Sequence, residues 1–227
     1  MEISTILNDF KGTAPIFPLP DFVMFPKVGK AFKIFEPRYI SMVKDAICGD
    51  KLICVTQLKP GWRKNYNFEP KIFQIGTLNY IFKYEESKND NHIIIYTFGI
   101  KKVQIFELEK SHLYRKAQLT LIDDNTIVSS ESDKKESLIK NFASIANISM
   151  DNKDLDFFQG FLTSTEMIVN TICHTLPILP IDKQNLLELS DISLRLDVIM
   201  QYMDSQAKVF NKDEDLIDFL PIDPTWN

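Results

Sequence analysis

The spacing of apolar residues changes once along this chain of 227 residues, near position 125. Before that point apolar positions recur every second residue, or in short runs bounded by turn formers, as strands require. Ala31-Phe32-Lys33-Ile34 alternates, and residues 51–58 are a run of β-formers. Over residues 73–85 the alternation puts Leu78, Tyr80, Phe82 and Tyr84 on one face, with Thr77, Asn79, Ile81 and Lys83 on the other. A polar tip at 87–91 leads into a return strand at 92–98, which Gly99 breaks. Two more strands follow at 103–108 and 113–123, the last with Ala117, Leu119 and Leu121 on one face. After Asn125 the period becomes 3.6 and predicts helices over 131–149, 151–174 and 182–205. In the last, Leu189, Ile192, Leu196, Ile199 and Met203 form an amphipathic seam, and Asp182 stands where it can cap the start. The pattern therefore predicts an α+β chain: a mostly antiparallel barrel or sandwich, closed to protect its edges, followed by a helical bundle. The boundaries read as 1–125 for the β part, 126–210 for the helices and 211–227 for an acidic tail carrying Asp213, Glu214, Asp215 and Asp218.

One corner stands out within the β part. A proline-punctuated lead-in, Pro15-Ile16-Phe17-Pro18-Leu19-Pro20 and then Val23-Met24-Phe25-Pro26, runs to Ile34-Phe35-Glu36-Pro37-Arg38-Tyr39. Pro37 suits the first turn of a helix, where its missing N–H costs nothing. Glu36 then faces the positive end of the helix dipole. Met42, Val43, Ala46 and Ile47 continue an apolar stripe, and Gly49 ends the helix. Glu36 and Arg38 read as a local ion pair or cap in preference to ligand contacts.

Residues 59–71 break the pattern with Pro60-Gly61, Trp62, Tyr66, Phe68 and Pro70 among basic and amide residues. Long ordered loops often carry function, so Trp62, Tyr66 and Phe68 are candidate binding residues. The other reading, that they fold back as a lid on the core, stays open.

Composition adds bounds. Hydrophobic residues at 44% and charged residues at 25% are ordinary for a globular chain large enough to bury a core. Cys48, Cys54 and Cys173 are odd in number and form no CxxC, which suggests a reducing, cytoplasmic setting. No secretory leader or bilayer-spanning run is visible. The net charge of −5 argues against nucleic acid as the main partner. Residues 1–125 hold 18 Lys and Arg against 14 Asp and Glu, and the remainder is acidic.

Sites for chemistry are lacking. Gly29-Lys30 has Met24 and Ala31 where a phosphate-binding loop needs Gly and Ser or Thr. There is no GxSxG and no HExxH. His92, His112 and His174 are isolated, and Cys173-His174 lacks ligand spacing, so no metal or cofactor is expected. Cys173 reads as a buried helical thiol.

The lead-in and the corner, with Ile75-Gly76-Thr77, Phe98-Gly99, Lys102-Val103-Gln104-Ile105, Tyr114, Ala117, Leu176-Pro177, Lys183-Gln184, Leu186-Leu187-Glu188 and Arg195-Leu196, resemble the N-terminal, substrate-binding domain of the ATP-dependent protease Lon over roughly residues 14–203. The resemblance implies a PUA-like β-barrel followed by a helical bundle. It implies a stand-alone domain without ATPase or peptidase parts, and a non-catalytic role in recognising unfolded or apolar polypeptide segments or a partner protein. It also makes Phe35, Glu36, Pro37, Arg38 and Tyr39 a family motif, read here as structural. Two alternatives remain: a PUA-like barrel that binds RNA through the basic half, and a structural interaction adaptor.

Overall fold

The structure is a computed structural model that describes residues 3–87, 91–109, 113–125 and 164–210. The helix expected over 131–149, most of the one over 151–174, His112 and the acidic tail lie outside the described residues.

Six strands form one sheet: β1 (Thr13–Leu19), β2 (Gly29–Ile34), β3 (Leu52–Gln57), β4 (Ile75–Glu86), β5 (Ile93–Glu107) and β6 (Lys116–Ile122). Their order is β2-β5-β4-β3-β1-β6, and β5 pairs with β6 as well. That second pairing closes β5-β4-β3-β1-β6 into a five-stranded barrel. Strand β5 is long enough to serve both roles: residues 93–98 pair with β2 and residues 102–107 with β6. Among these six strands, only β1 and β3 pair in parallel. The chain is thus α+β, a mostly antiparallel PUA-like barrel with helices C-terminal to it. The barrel core gathers Ile16, Leu52, Cys54, Leu78, Val103 and Ile105 among others. Helix α1 (Ile3–Asn8), in a stretch whose pattern is weak, adds Ile6 to it. Helix α2 (Pro37–Cys48) follows the corner and buries Tyr39, Met42, Val43 and Ala46.

Gly99 does not break its strand, contrary to the sequence pattern. β5 runs through it, and a methyl group there would collide with the Phe25 carbonyl oxygen. Gly76 meets the same constraint, since a Cβ there would lie 2.6 Å from the Val55 oxygen. Both glycines let another segment's backbone approach where a side chain would otherwise stand. Thr77 Oγ1 donates to the Met24 carbonyl at 2.6 Å, and the Lys27 N–H donates to the Gly99 carbonyl at 2.7 Å. The Ile75-Gly76-Thr77 and Phe98-Gly99 pieces therefore hold segment 23–27 on the barrel.

The expected apolar face of β4 also needs correction. The register slips at Leu78/Asn79 and again at Ile81/Lys83, so strict alternation is lost. Leu78, Asn79 and Ile81 are all buried, whereas Phe82 is 58% exposed and Tyr84 is exposed too. Pairing with β3 ends at Tyr80, the Ile81 N–H donates to the Lys51 carbonyl, and the rest of β4 pairs with β5.

The helix expected over 182–205 is two helices, α4 (Pro180–Glu188) and α5 (Ile192–Phe210). Asp182 lies in the first turn of α4, which Pro180 opens. The capping aspartate is Asp191, whose Oδ1 accepts from the N–H groups of Ser193 (2.8 Å) and Leu194 (3.2 Å) at the start of α5. A short acceptor side chain that bonds the backbone ahead of it stops one helix and starts the next. Residues 1–123 and 179–188 form one compact unit, so α4 is counted with the barrel. Its Gln184 Nε2 donates to the Ile75 carbonyl at 3.1 Å.

The other unit comprises residues 124–178 and 189–227. Within it α3 (Thr165–Thr175) is capped by Ser164, which accepts from the Met167 N–H. Ile192, Ile199 and Met203 of the expected seam are buried, and Arg195 takes a place among them at 0% exposure. Its guanidinium binds Asp124 at 2.9 Å and donates to Asn170 Oδ1 and the Leu189 carbonyl.

Candidate functional site

The structure brings the corner and the 59–71 loop together. Glu36 is the N-cap residue of α2 by backbone geometry, and its carbonyl accepts from the N–H groups of Tyr39 and Ile40. Its carboxylate does not cap the helix. One oxygen instead accepts from Arg38, at 2.8 Å from Nη2, and the other accepts from the Tyr66 hydroxyl at 2.5 Å. Tyr66 comes from the loop, which coils into a 3₁₀ segment, Trp62–Phe68, between two residues of left-handed backbone, Gly61 and Glu69. The Arg38 guanidinium lies 4.7 Å from the Tyr39 ring centre and 5.0 Å from that of Tyr66. Trp62 packs edge-on to Tyr66 at 5.7 Å, and both lean on the barrel core. The side chain of Phe68 lies outside the described residues.

Electrostatics follow from this packing. Burial works against the Arg38 charge, but Tyr39, Glu36 and Tyr66 outweigh it and raise its pKa. Burial, and then the bond to Glu36, raises the pKa of Tyr66. Burial also raises that of Tyr39, against the pull of Arg38. A carboxylate engaged on both oxygens and phenols held protonated make a latch between loop and corner. The cleft beside it, lined by Pro18, Arg38, Tyr39, Leu58, Tyr66 and Pro70, has a volume of about 40 Å³. That is room for water and not for a side chain of a guest. Among the described residues no group of three His, Cys, Asp or Glu converges in a way that could hold a metal ion.

Apolar surface is offered elsewhere. Phe35, which takes no part in the latch, is 65% exposed. Ile93 of β5 pairs with Ile34 on one side and Glu86 on the other, so Phe35 stands at the same end of the sheet as the β4–β5 hairpin. That hairpin bears the exposed Phe82 and Tyr84. Phe82 sits 6.3 Å from the Tyr96 ring, and the Lys83 ammonium lies 5.0 Å from it. The alternation in the sequence places Phe82 and Tyr84 on one face with Leu78 and Tyr80. The available signal was length: their alternation runs on past the reach of the neighbouring strand. A second concavity, of about 380 Å³, is lined by Lys59, Lys71, Ile72, Gln74, Ile105 and Phe106 among others.

A closed PUA-like barrel with helices C-terminal to it and a latched Glu-Pro-Arg-Tyr corner defines the fold class of the chain. Residues 13–205 match the family model described as the ATP-dependent protease La (LON) substrate-binding domain, and the chain belongs to that family. It is 25% identical over 199 residues to a Lon protease of Desulfosudis oleivorans, covering 87% of this chain and 24% of that protein. It is 24% identical over 216 residues to Lon protease 2 of Myxococcus xanthus, covering 89% of this chain and 24% of that one. The chain thus spans about a quarter of the length of these relatives. Two solved structures share the fold. They are the N-terminal domain of the Mycobacterium avium complex Lon protease (TM-score 0.61, 12% identity, covering 85% of this chain and 98% of that one) and a Lon N-terminal domain protein from Xanthomonas campestris (TM-score 0.61, 17% identity, covering 84% and 98%).

Proposed function

We propose that this chain is a non-catalytic recognition module that holds unfolded or apolar polypeptide segments, or a partner protein presenting them, in cytoplasmic protein quality control. The observation that carries this reading is the exposure of large aromatic side chains toward one end of the sheet: Phe35, Phe82 and Tyr84 are exposed, whereas the latch spends its own polar groups internally. Exposed large apolar side chains are candidates for an interaction site. Membership of a family described as substrate-binding supports polypeptide as the ligand. Free Cys48, Cys54 and Cys173 support a reducing compartment.

The test is fluorescence anisotropy with a labelled, permanently unfolded protein whose cysteines are reduced and blocked. Saturable binding is expected, and Phe35→Ser with Phe82→Ser should weaken it by about tenfold, the cost of leaving much of two aromatic contacts unmade. Melting should stay unchanged, because both side chains are exposed. Absence of saturable binding by the unaltered chain would overturn the reading.

A further inference from the structure

Strand β5 is 15 residues long, and the Phe35 corner stands beside its start. Near its other end, residues 105–107 pair with β6 on one side. On the other side, pairing with β4 reaches no further than Gln104, opposite Ile75. One more bond runs from the Ile105 N–H to the Gln74 carbonyl at 2.8 Å. The chain just before β4 turns instead to the end of β3. Leu58 and Ile72 form an antiparallel bridge there. It is flanked by bonds from the Lys59 N–H to the Lys71 carbonyl (2.8 Å) and from the Phe73 N–H to the Gln57 carbonyl (3.0 Å). Segments 71–74 and 105–107 therefore part, and the concavity of about 380 Å³ lies between them. Lys71 and Phe73 turn main-chain groups to β3, so Ile72 between them turns its N–H and carbonyl the other way. Among the described residues, no main-chain group bonds to either.

The same bridge places two charges. Leu58 and Ile72 belong to the barrel core, so Lys59 and Lys71, next to them and opposite each other, share the other face of this ribbon. Both line the concavity, both are exposed, and neither forms an ion pair with a described residue. Like charges directly opposite destabilise a pair of strands. An anion held between them removes that penalty. Glu107, the carboxylate of the lining, is already engaged: Arg115 donates to it from Nε at 2.8 Å and from Nη2 at 2.5 Å. The concavity is thus left positive, and Phe106, 52% exposed, gives it an apolar wall.

Two ammonium groups beside an aromatic ring fit one carboxylate joined to an apolar group. Ligand pockets span about 300–1,000 Å³, so this one admits the end of a chain and not the side of a folded partner. The last residue of a polypeptide joins a carboxylate to a side chain and brings a main chain that Ile72 can bond. A free carboxylic acid lacks that main chain. A nucleic acid takes its affinity from a track of phosphate contacts, and two lysines facing one hollow make no track. We propose that the concavity between segments 71–74 and 105–107 binds the C-terminal residue of an unfolded polypeptide, with the carboxylate toward Lys59 and Lys71 and an apolar side chain toward Phe106. Capture of a terminal carboxylate is an established mode of peptide recognition. The inference takes polypeptide as the ligand from the reading above and adds a site at the opposite end of β5.

The experiment uses the full chain and fluorescence anisotropy with an octapeptide of glycine and serine, labelled at its N-terminus and ending in leucine. Saturable binding is expected, with amide exchange slowed at 71–74 and 105–107. The same peptide amidated at its C-terminus should bind about tenfold more weakly or worse. Lys59→Gln/Lys71→Gln, checked for unchanged melting, should also lose about tenfold, whereas Lys59→Arg/Lys71→Arg should stay within about threefold of the unaltered chain. Equal binding of the amidated peptide, indifference to the glutamine substitutions, or protection confined to other segments would overturn the proposal. So would acetylated leucine competing as tightly as the peptide, which would mark a site for a free acid. Single-stranded RNA binding there more tightly than the peptide would overturn it in favour of phosphate. The unfolded client separates the two readings. If the client binds the unaltered chain and the octapeptide does not, only the C-terminal proposal falls; if neither binds, both fall.

Discussion

Two arginines in this protein bind carboxylates under opposite conditions. Arg195 is fully buried, and Asp124, Asn170 and the Leu189 carbonyl surround its guanidinium. Arg38 keeps 28% of its side chain exposed, pairs with Glu36 and lies against two tyrosine rings. The first cannot lose a partner without leaving a charge in a dry interior, where no water replaces it. The second can, because solvent stands beside it. Similar chemistry thus fixes the fold in one region and trims the shape of a surface in the other.

The largest effect should come from Arg195→Ala. It takes the buried carboxylate of Asp124 away from its arginine and should cost about 3–5 kcal/mol, read by urea unfolding. A loss near that of an exposed pair would break the contrast. Gly99→Ala should come next. Its methyl meets backbone at Phe25, which cannot swing aside as a side chain can, so about 1–3 kcal/mol is expected from the same measurement. Arg38→Ala or Glu36→Ala should cost no more than about 1 kcal/mol and leave the affinity for unfolded clients unchanged. Lost client binding with unaltered melting would reassign the corner from latch to contact. The smallest effect at neutral pH is that of Tyr39→Phe, and its signature is alkaline. The Tyr39 pKa is raised in the folded chain, first by burial. Below the unfolded pKa of about 10 its contribution to stability is complete. Above that, the unfolded chain releases the proton while the folded chain keeps it, so stability falls as pH rises. Tyr39→Phe should flatten that fall in a urea series from neutral to alkaline pH, and an unchanged slope would remove Tyr39 from the account.

Much of this could be read in advance where the cause is local. Pro37 opens α2 and Gly49 ends it, and β3 forms where the run of β-formers stands. Of the candidate site, Trp62, Tyr66 and the corner were visible as unusual residues, but their meeting was not: Tyr66 reaches Glu36 across thirty positions of chain. Gly99 looked like a strand breaker because a glycine's neighbours in sequence say nothing about the backbone above it. Asp182 and Asp191 are equally good caps in isolation; Asp191 caps α5, whereas α4 begins ahead of Asp182, at Pro180. The burial of Arg195 depends on Asp124, which lies far away in sequence, so the apolar spacing around it gives no sign of it.

Local backbone preference and apolar spacing were enough to establish a mostly antiparallel β region, helices C-terminal to it and a proline-opened helix between the second and third strands. They could not say which strand the closing barrel leaves out, which arginine goes inside, or that Phe82 and Tyr84 outrun their cover. Those outcomes depend on contacts between residues distant in sequence, and a pattern with a period of two or 3.6 carries no information about them.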